Sequence, residues 1–113
     1  MLIISTHGEL ANVVNTHADA TLRHLLSAQA ERLADYDLSE IATLVVVEPH
    51  DTLDDVDNAL GRPLASLLPA ELVERQARWL QCVFIISDDG FGLVLFIPAD
   101  ADPAVLAFVE GEL

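Results

Sequence analysis

Three features of the sequence predict an α+β fold, a small mixed or antiparallel sheet of about three strands packed with about four helices. Two wholly apolar blocks, 82 to 86 (CVFII) and 93 to 97 (LVLFI), flank Asp88-Asp89-Gly90 and read as a β-hairpin near the C-terminal end. Neither block contains a polar residue, so neither strand can show one face to water: four helices cover one face fully and the other in part, and a second subunit can cover the rest. Helix punctuation between and around the strands is clear, above all Asp51-Thr52 before a helical pattern and Gly61 after it.

Taken in order, residues 2 to 5 form a short strand. From Thr16 to Leu33 the apolar spacing is helical, with Thr16 and Asp19 as candidate caps. The segment 41 to 47 is β-branched and ends at Pro49, which predicts a strand. Asp51 or Thr52 caps the next helix, Asp54 and Asp55 place negative charge at its positive dipole end, and Gly61 stops it. A further helix is expected from near Pro69 toward Trp79. In the hairpin, a three-residue loop pairs Phe84 with Val94 and Ser87 with Phe91, and a two-residue Asp89-Gly90 turn shifts the pairing by one. Asp102-Pro103 opens a final helix. No linker, internal repeat or low-complexity stretch interrupts the 113 residues, so residues 1 to 113 read as one domain.

The composition is very acidic for so apolar a chain. Nineteen acids oppose five bases, giving a net charge of −14, and every base is arginine. The arginines fall in two windows, Arg23 to Arg32 and Arg62 to Arg78, and fourteen of the acids lie in stretches without a base, 33 to 61 and 79 to 113. Such a field repels DNA, RNA and anionic lipid and attracts a basic protein. It also keeps an apolar domain in solution. The apolar blocks are of strand length, short of the roughly 20 residues a spanning helix needs. With one cysteine, Cys82, and no signal-peptide pattern at Met1 to Ile4, a soluble cytoplasmic protein is expected.

Chemistry-bearing motifs are sparse. Glu48-Pro49-His50-Asp51 sits at the carboxyl end of a predicted strand, where open α/β sheets place ligands, and its two carboxylates and imidazole suit metal ligation or an acid/base set. The competing reading is a helix cap beside an exposed loop, and the spacing matches no metal motif. His17 and His24 are expected two turns apart on one helix, too far along the axis to share a metal directly. Cys82, between Gln81 and Val83, reads as a buried thiol with a raised pKa. Trp79 and Phe91 stand at the two strand beginnings of the hairpin as candidate interaction residues, with core packing as the plainer role. Gly92 permits a bulge or a close backbone approach. No nucleophile elbow, P-loop, dinucleotide fingerprint, zinc-protease or EF-hand pattern is present. No catalytic residue, metal or cofactor is assigned on these grounds.

The stretch SDDGFGLVLFIP resembles a group of small bacterial proteins with no assigned activity, over about the last third of the chain. The resemblance implies no site. Two function classes follow from the residues. One is a non-enzymatic acidic interaction or accessory protein that self-associates as a homo-oligomer, most simply a homodimer, and contacts a basic protein partner. The other is a small enzyme or ligand-binding protein using Glu48, His50 and Asp51.

Overall fold

The computed structural model describes the backbone of residues 1–86 and 91–112, and the side chains of all of these except 68–74, 111 and 112. Its strands are β1 (Leu2–Ile4), β2 (Ala42–Val46), β3 (Leu68–Gln76), β4 (Trp79–Ile85) and β5 (Gly92–Pro98). The helices are α1 (His7–Thr16), α2 (Ala20–Arg32), α3 (Leu38–Ile41), α4 (Leu53–Leu60) and α5 (Pro103–Glu112), with a 3-10 turn at Leu64–Ser66. The fold is therefore α+β, with five strands and five helices among the described residues where about three and four were expected.

The strands form one mixed sheet in the order β1-β2-β5-β4-β3. β5 lies between a parallel neighbour, β2, and an antiparallel one, β4. The two apolar blocks thus occupy adjacent antiparallel strands, as the hairpin pattern predicts. Along β5, Leu93, Leu95 and Ile97 enter one core with Val45, Val47, Leu80, Cys82 and Phe84, under α4 and α5. Val94 and Phe96 enter the opposite core with Ile4, Leu44, Val46 and Trp79, under α1, α2 and α3. Alternate side chains of each strand reach opposite faces. Both faces are buried by helices of the same chain, and among the described residues only Ile3 and Tyr36 are large, apolar and exposed. No helix among the described residues is long and apolar enough to cross a membrane.

The hairpin register differs from both expected ones. Phe84 pairs with Leu93 and Ile85 with Gly92, and the Ile86 N–H donates to the Phe91 carbonyl at 2.8 Å. This pairing is one residue away from that of a three-residue loop, in the direction opposite to the Asp89-Gly90 turn. Register is set by which side chains reach which core, and this one puts Cys82 and Phe84 on the α4/α5 side with Leu93 and Leu95. Residues 87 to 90, and with them the expected turn at Asp88 to Gly90 and the Ser87 pairing, lie outside the described residues.

The expected helix from Pro69 to Trp79 is instead the edge strand β3 and the turn that follows it. Leu72, Val73 and Gln76 have a spacing that fits a helix, but the free edge of β4 offers this segment a ladder from Leu68 to Gln76. Tertiary pairing outweighs so weak a local preference. Pro69 is tolerated because an edge strand has one unpaired side, and two register shifts bend the pairing near Pro69/Glu71 and Leu72/Glu74. The strand turns at Ala77-Arg78, with Ala77 at φ 51°. A side chain in that left-handed region is strained, and none of the usual turn residues marks the place.

Helix α1 has no counterpart in the sequence reading, although Thr6 and Glu9 have capping-box spacing. The Thr6 hydroxyl accepts the Glu9 N–H at 3.1 Å, and Glu9 Oε1 accepts the Ser5 N–H at 3.1 Å. Residues 16 to 33 are not one helix: His17 is the C-cap of α1, and Asp19 caps α2 by accepting the Leu22 N–H at 3.0 Å. His17 and His24 therefore do not share a helix face. The cap of α4 is as the sequence predicts. Thr52 accepts the Asp55 N–H, Asp55 accepts the Thr52 N–H, and Gly61 takes the left-handed C-cap at φ 73°. Such a cap contributes about 1 kcal/mol.

Candidate functional site

Because β2 and β5 run parallel, their carboxyl ends meet at one end of the sheet, and the helices α4 and α5 both start there. α2 starts there too, since its cap Asp19 is tied to the turn between β3 and β4 and to the loop after β5 through Arg78. Three helix N-termini thus converge, each with an acid at its cap or in its first turn: Asp19 for α2, Asp54 and Asp55 for α4, and Asp102 for α5, which accepts the Ala104 N–H at 2.8 Å. Negative charge at these positions is favoured by the helix dipoles and the free N–H groups. With Glu48, Asp51 and Asp100, this end of the molecule carries a dense set of carboxylates.

The sequence-predicted residues Glu48, His50 and Asp51 are brought together within it. Pro49 ends the strand, and a turn closes as the Asp51 N–H donates to the Glu48 carbonyl at 3.0 Å. Asp51, only 6 % exposed, accepts the Glu48 N–H at 2.9 Å and pairs with the α-amino group of Met1 at 3.1 Å. Glu48 is 3.5 Å from the same amino group. The exposed His50 ring lies 3.6 Å from Glu48 and 3.7 Å from Asp51, an electrostatic neighbour beyond hydrogen-bond reach. The buried carboxylate is therefore already occupied by the chain itself. Beside it, hydrogen bonds from the Thr52 backbone and hydroxyl hold the Asp55 carboxyl below its ordinary range. Among the described residues, no three His, Cys, Asp or Glu side chains are placed to hold a metal ion.

The second half of this end was not visible in the sequence. Arg78 projects from the β3–β4 turn, donates from Nε to Asp19 and from Nη1 to Asp100, each at 3.1 Å, and lies over the Trp79 ring, 5.1 Å from its centroid. The Leu22 N–H and then Arg78 hold the Asp19 carboxyl down at about 2, against the opposing effect of burial. Trp79 is 3 % exposed, and its indole N–H is near enough to Asp19 to favour that carboxylate without meeting hydrogen-bond geometry, so the donor stays unpartnered among the described residues. Only the adjacency of Arg78 to Trp79 hints at this arrangement in one dimension.

Phe91 lies at the other end of the hairpin, half-buried just before β5, so Trp79 and Phe91 are not part of one surface. Cys82 faces the α4/α5 core, and burial pushes its thiol up to about 12, which leaves no thiolate near neutral pH. His7 contacts the Tyr36 carbonyl at 2.7 Å, and His17 accepts the Asp19 N–H at 3.0 Å, so these two rings serve local structure. No family model matches the chain, and no curated protein or solved structure matches it significantly.

Proposed function

We propose that this protein is a non-enzymatic, acidic interaction protein of the cytoplasm that engages a basic protein partner through the end of the sheet where α2, α4 and α5 begin. One observation carries the reading: Glu48, Asp51, Asp54, Asp55, Asp100, Asp102 and Asp19 gather there from three separate stretches of chain, and the one arginine found among them in the described residues, Arg78, is already bound by two of them. The occupied state of Asp51 supports this use over a ligand site at Glu48, His50 and Asp51, because a ligand would have to displace the Met1 amino group and the Glu48 N–H.

The expected behaviour is capture of a basic protein at 0.1 M salt that is lost at 1 M, where the Debye length falls from about 10 Å to about 3 Å. The variant Asp54→Asn/Asp100→Asn, which keeps both helix caps, should weaken that capture, and neither protein should bind DNA or RNA. Capture that survives 1 M salt and the double substitution would overturn the proposal.

Self-association belongs to the same proposal, and the fold changes its basis. Both sheet faces are covered, so the uncovered face first expected to drive a dimer is not found among the described residues. The unpaired outer edge of β3 takes its place as the surface on which a second copy adds its own β3. Light scattering should then return about twice the 12.2 kDa chain mass, and a value near one chain mass at micromolar concentration would overturn this part.

A further inference from the structure

At the end of the sheet opposite the acidic cluster, a groove of about 200 Å³ opens between the last turns of α2 and the beginnings of β2 and β5. Val83, Ile85 and Val94 form its floor, and Leu33, Ile41 and Ala42 its apolar walls. Two polar side chains reach it from α2, Gln29 and Arg32, three residues apart and so on one helix face. Gln29 is only 5 % exposed, yet its amide makes no side-chain hydrogen bond with any described residue. That amide is not among the fully enclosed unpartnered groups; it borders the groove, where it is open to a ligand. Arg32 differs from the other arginines: Arg23 and Arg62 donate to backbone carbonyls and Arg75 and Arg78 to carboxylates, while Arg32 makes no such bond among the described residues.

Gly92 gives a second and independent indication. It lies between Ala42 on β2 and Ile85 on β4, on the same sheet face as Val94, and lines the groove. Its φ is not in the left-handed range, and an added Cβ would meet its nearest neighbours, Phe84 O, Ile41 O and Ala42 Cβ, at 3.8, 3.9 and 4.0 Å. Neither backbone conformation nor a close approach requires glycine here, contrary to the reading from sequence. Glycine within a central strand costs stability, so its effect at this position is to leave the groove empty.

We propose that this groove is a binding site for a small monocarboxylate with a short hydrocarbon or aryl body, its carboxylate on Arg32, a hydrogen bond to the Gln29 amide, and its apolar part on Val83, Ile85 and Val94. The class follows from size and charge. A volume of 200 Å³ holds on the order of seven waters, room for a ligand far smaller than a nucleotide. One guanidinium beside the acidic segment that carries Asp35, Asp37 and Glu40 suits a single negative charge, whereas a phosphate ester brings more charge than this surroundings can neutralise. An apolar hollow with a few converging polar groups is the usual form of a small-molecule site.

The test is titration of the full chain with sodium hexanoate, followed by amide and side-chain shifts in two-dimensional NMR. Saturable shifts are expected at Gln29, Val83, Ile85, Gly92 and Val94, with the acidic end unaffected. Arg32→Gln, an exposed substitution that keeps the fold, should weaken binding by about tenfold, and neutral 1-hexanol should bind the wild-type protein about as weakly as hexanoate binds that variant. Gly92→Val should retain the fold with an equal or higher melting temperature and lose binding, because its side chain fills the groove. Shifts that do not saturate, shifts centred elsewhere, or unchanged affinity in Arg32→Gln would each overturn the proposal, whatever Gly92→Val does.

Discussion

Replacing Phe96 with alanine should cost about 3–5 kcal/mol, the largest loss expected from any single substitution considered for this chain. Phe96 is fully buried, pairs with Val46 on one side and Gln81 on the other, and packs in the core beneath α1 and α2. Its carbonyl also accepts the Val47 N–H at 2.9 Å, so the backbone around it is fixed by both neighbouring strands and cannot collapse into the space vacated by the ring. A cavity that cannot close keeps its full penalty. Against a total stability of about 5–15 kcal/mol for a domain of this size, the loss is a large fraction. Urea unfolding followed by Trp79 fluorescence would measure it. The same change at the partly buried Phe108 on α5 should cost about 1–2 kcal/mol. Equal losses at the two sites would show that β5 is not the rigid centre of the sheet.

The second large effect is expected at Asp19. Its carboxylate caps α2, anchors Arg78 and through it Asp100, so Asp19→Ala removes a cap and a partly buried ion pair together. The expected cost is about 2–3 kcal/mol. Asp19→Asn keeps a capping oxygen but not the charge, and should cost about half as much. The folded carboxyl titrates at about 2 against an ordinary 3.8. Because the folded value is the lower one, the stabilisation is fully present above the unfolded pKa and fades as pH falls from about 4 toward 2. The stability gap between wild type and Asp19→Ala should therefore narrow over that interval. A gap that stays constant from pH 6 to pH 2 would rule out the charge as its source.

What the sequence revealed depended on how local the determining interaction was. The apolar blocks at 82–86 and 93–97 and the Thr52-to-Gly61 helix are written in adjacent residues, and all three elements are present. Glu48, His50 and Asp51 were legible for the same reason, since a single turn gathers them. β3 was misread because its local spacing also fits a helix and its turn uses Ala77 and Arg78, where glycine or asparagine would have announced a hairpin. The break between α1 and α2 was hidden because apolar spacing runs nearly in phase across His17 to Asp19, although the Thr6-Glu9 pair was there to be read. The clamp on Arg78 joins residues 59 and 22 positions away, and the groove joins α2 to three strands, distances at which a single sequence carries no pairing signal.

The place of β5 in the sheet has a consequence for how the chain matures. It follows the other four described strands in the sequence and lies between β2 and β4, so β2 has no neighbour on its inner side until β5 has been made. Joining β2 to β5 also closes a loop nearly half the chain long, an entropic cost met before any of its parallel ladder forms. During synthesis the edge of β2, rich in valine and leucine, stands open to other nascent copies, and the many carboxylates of the first two-thirds of the chain keep those copies apart while they wait.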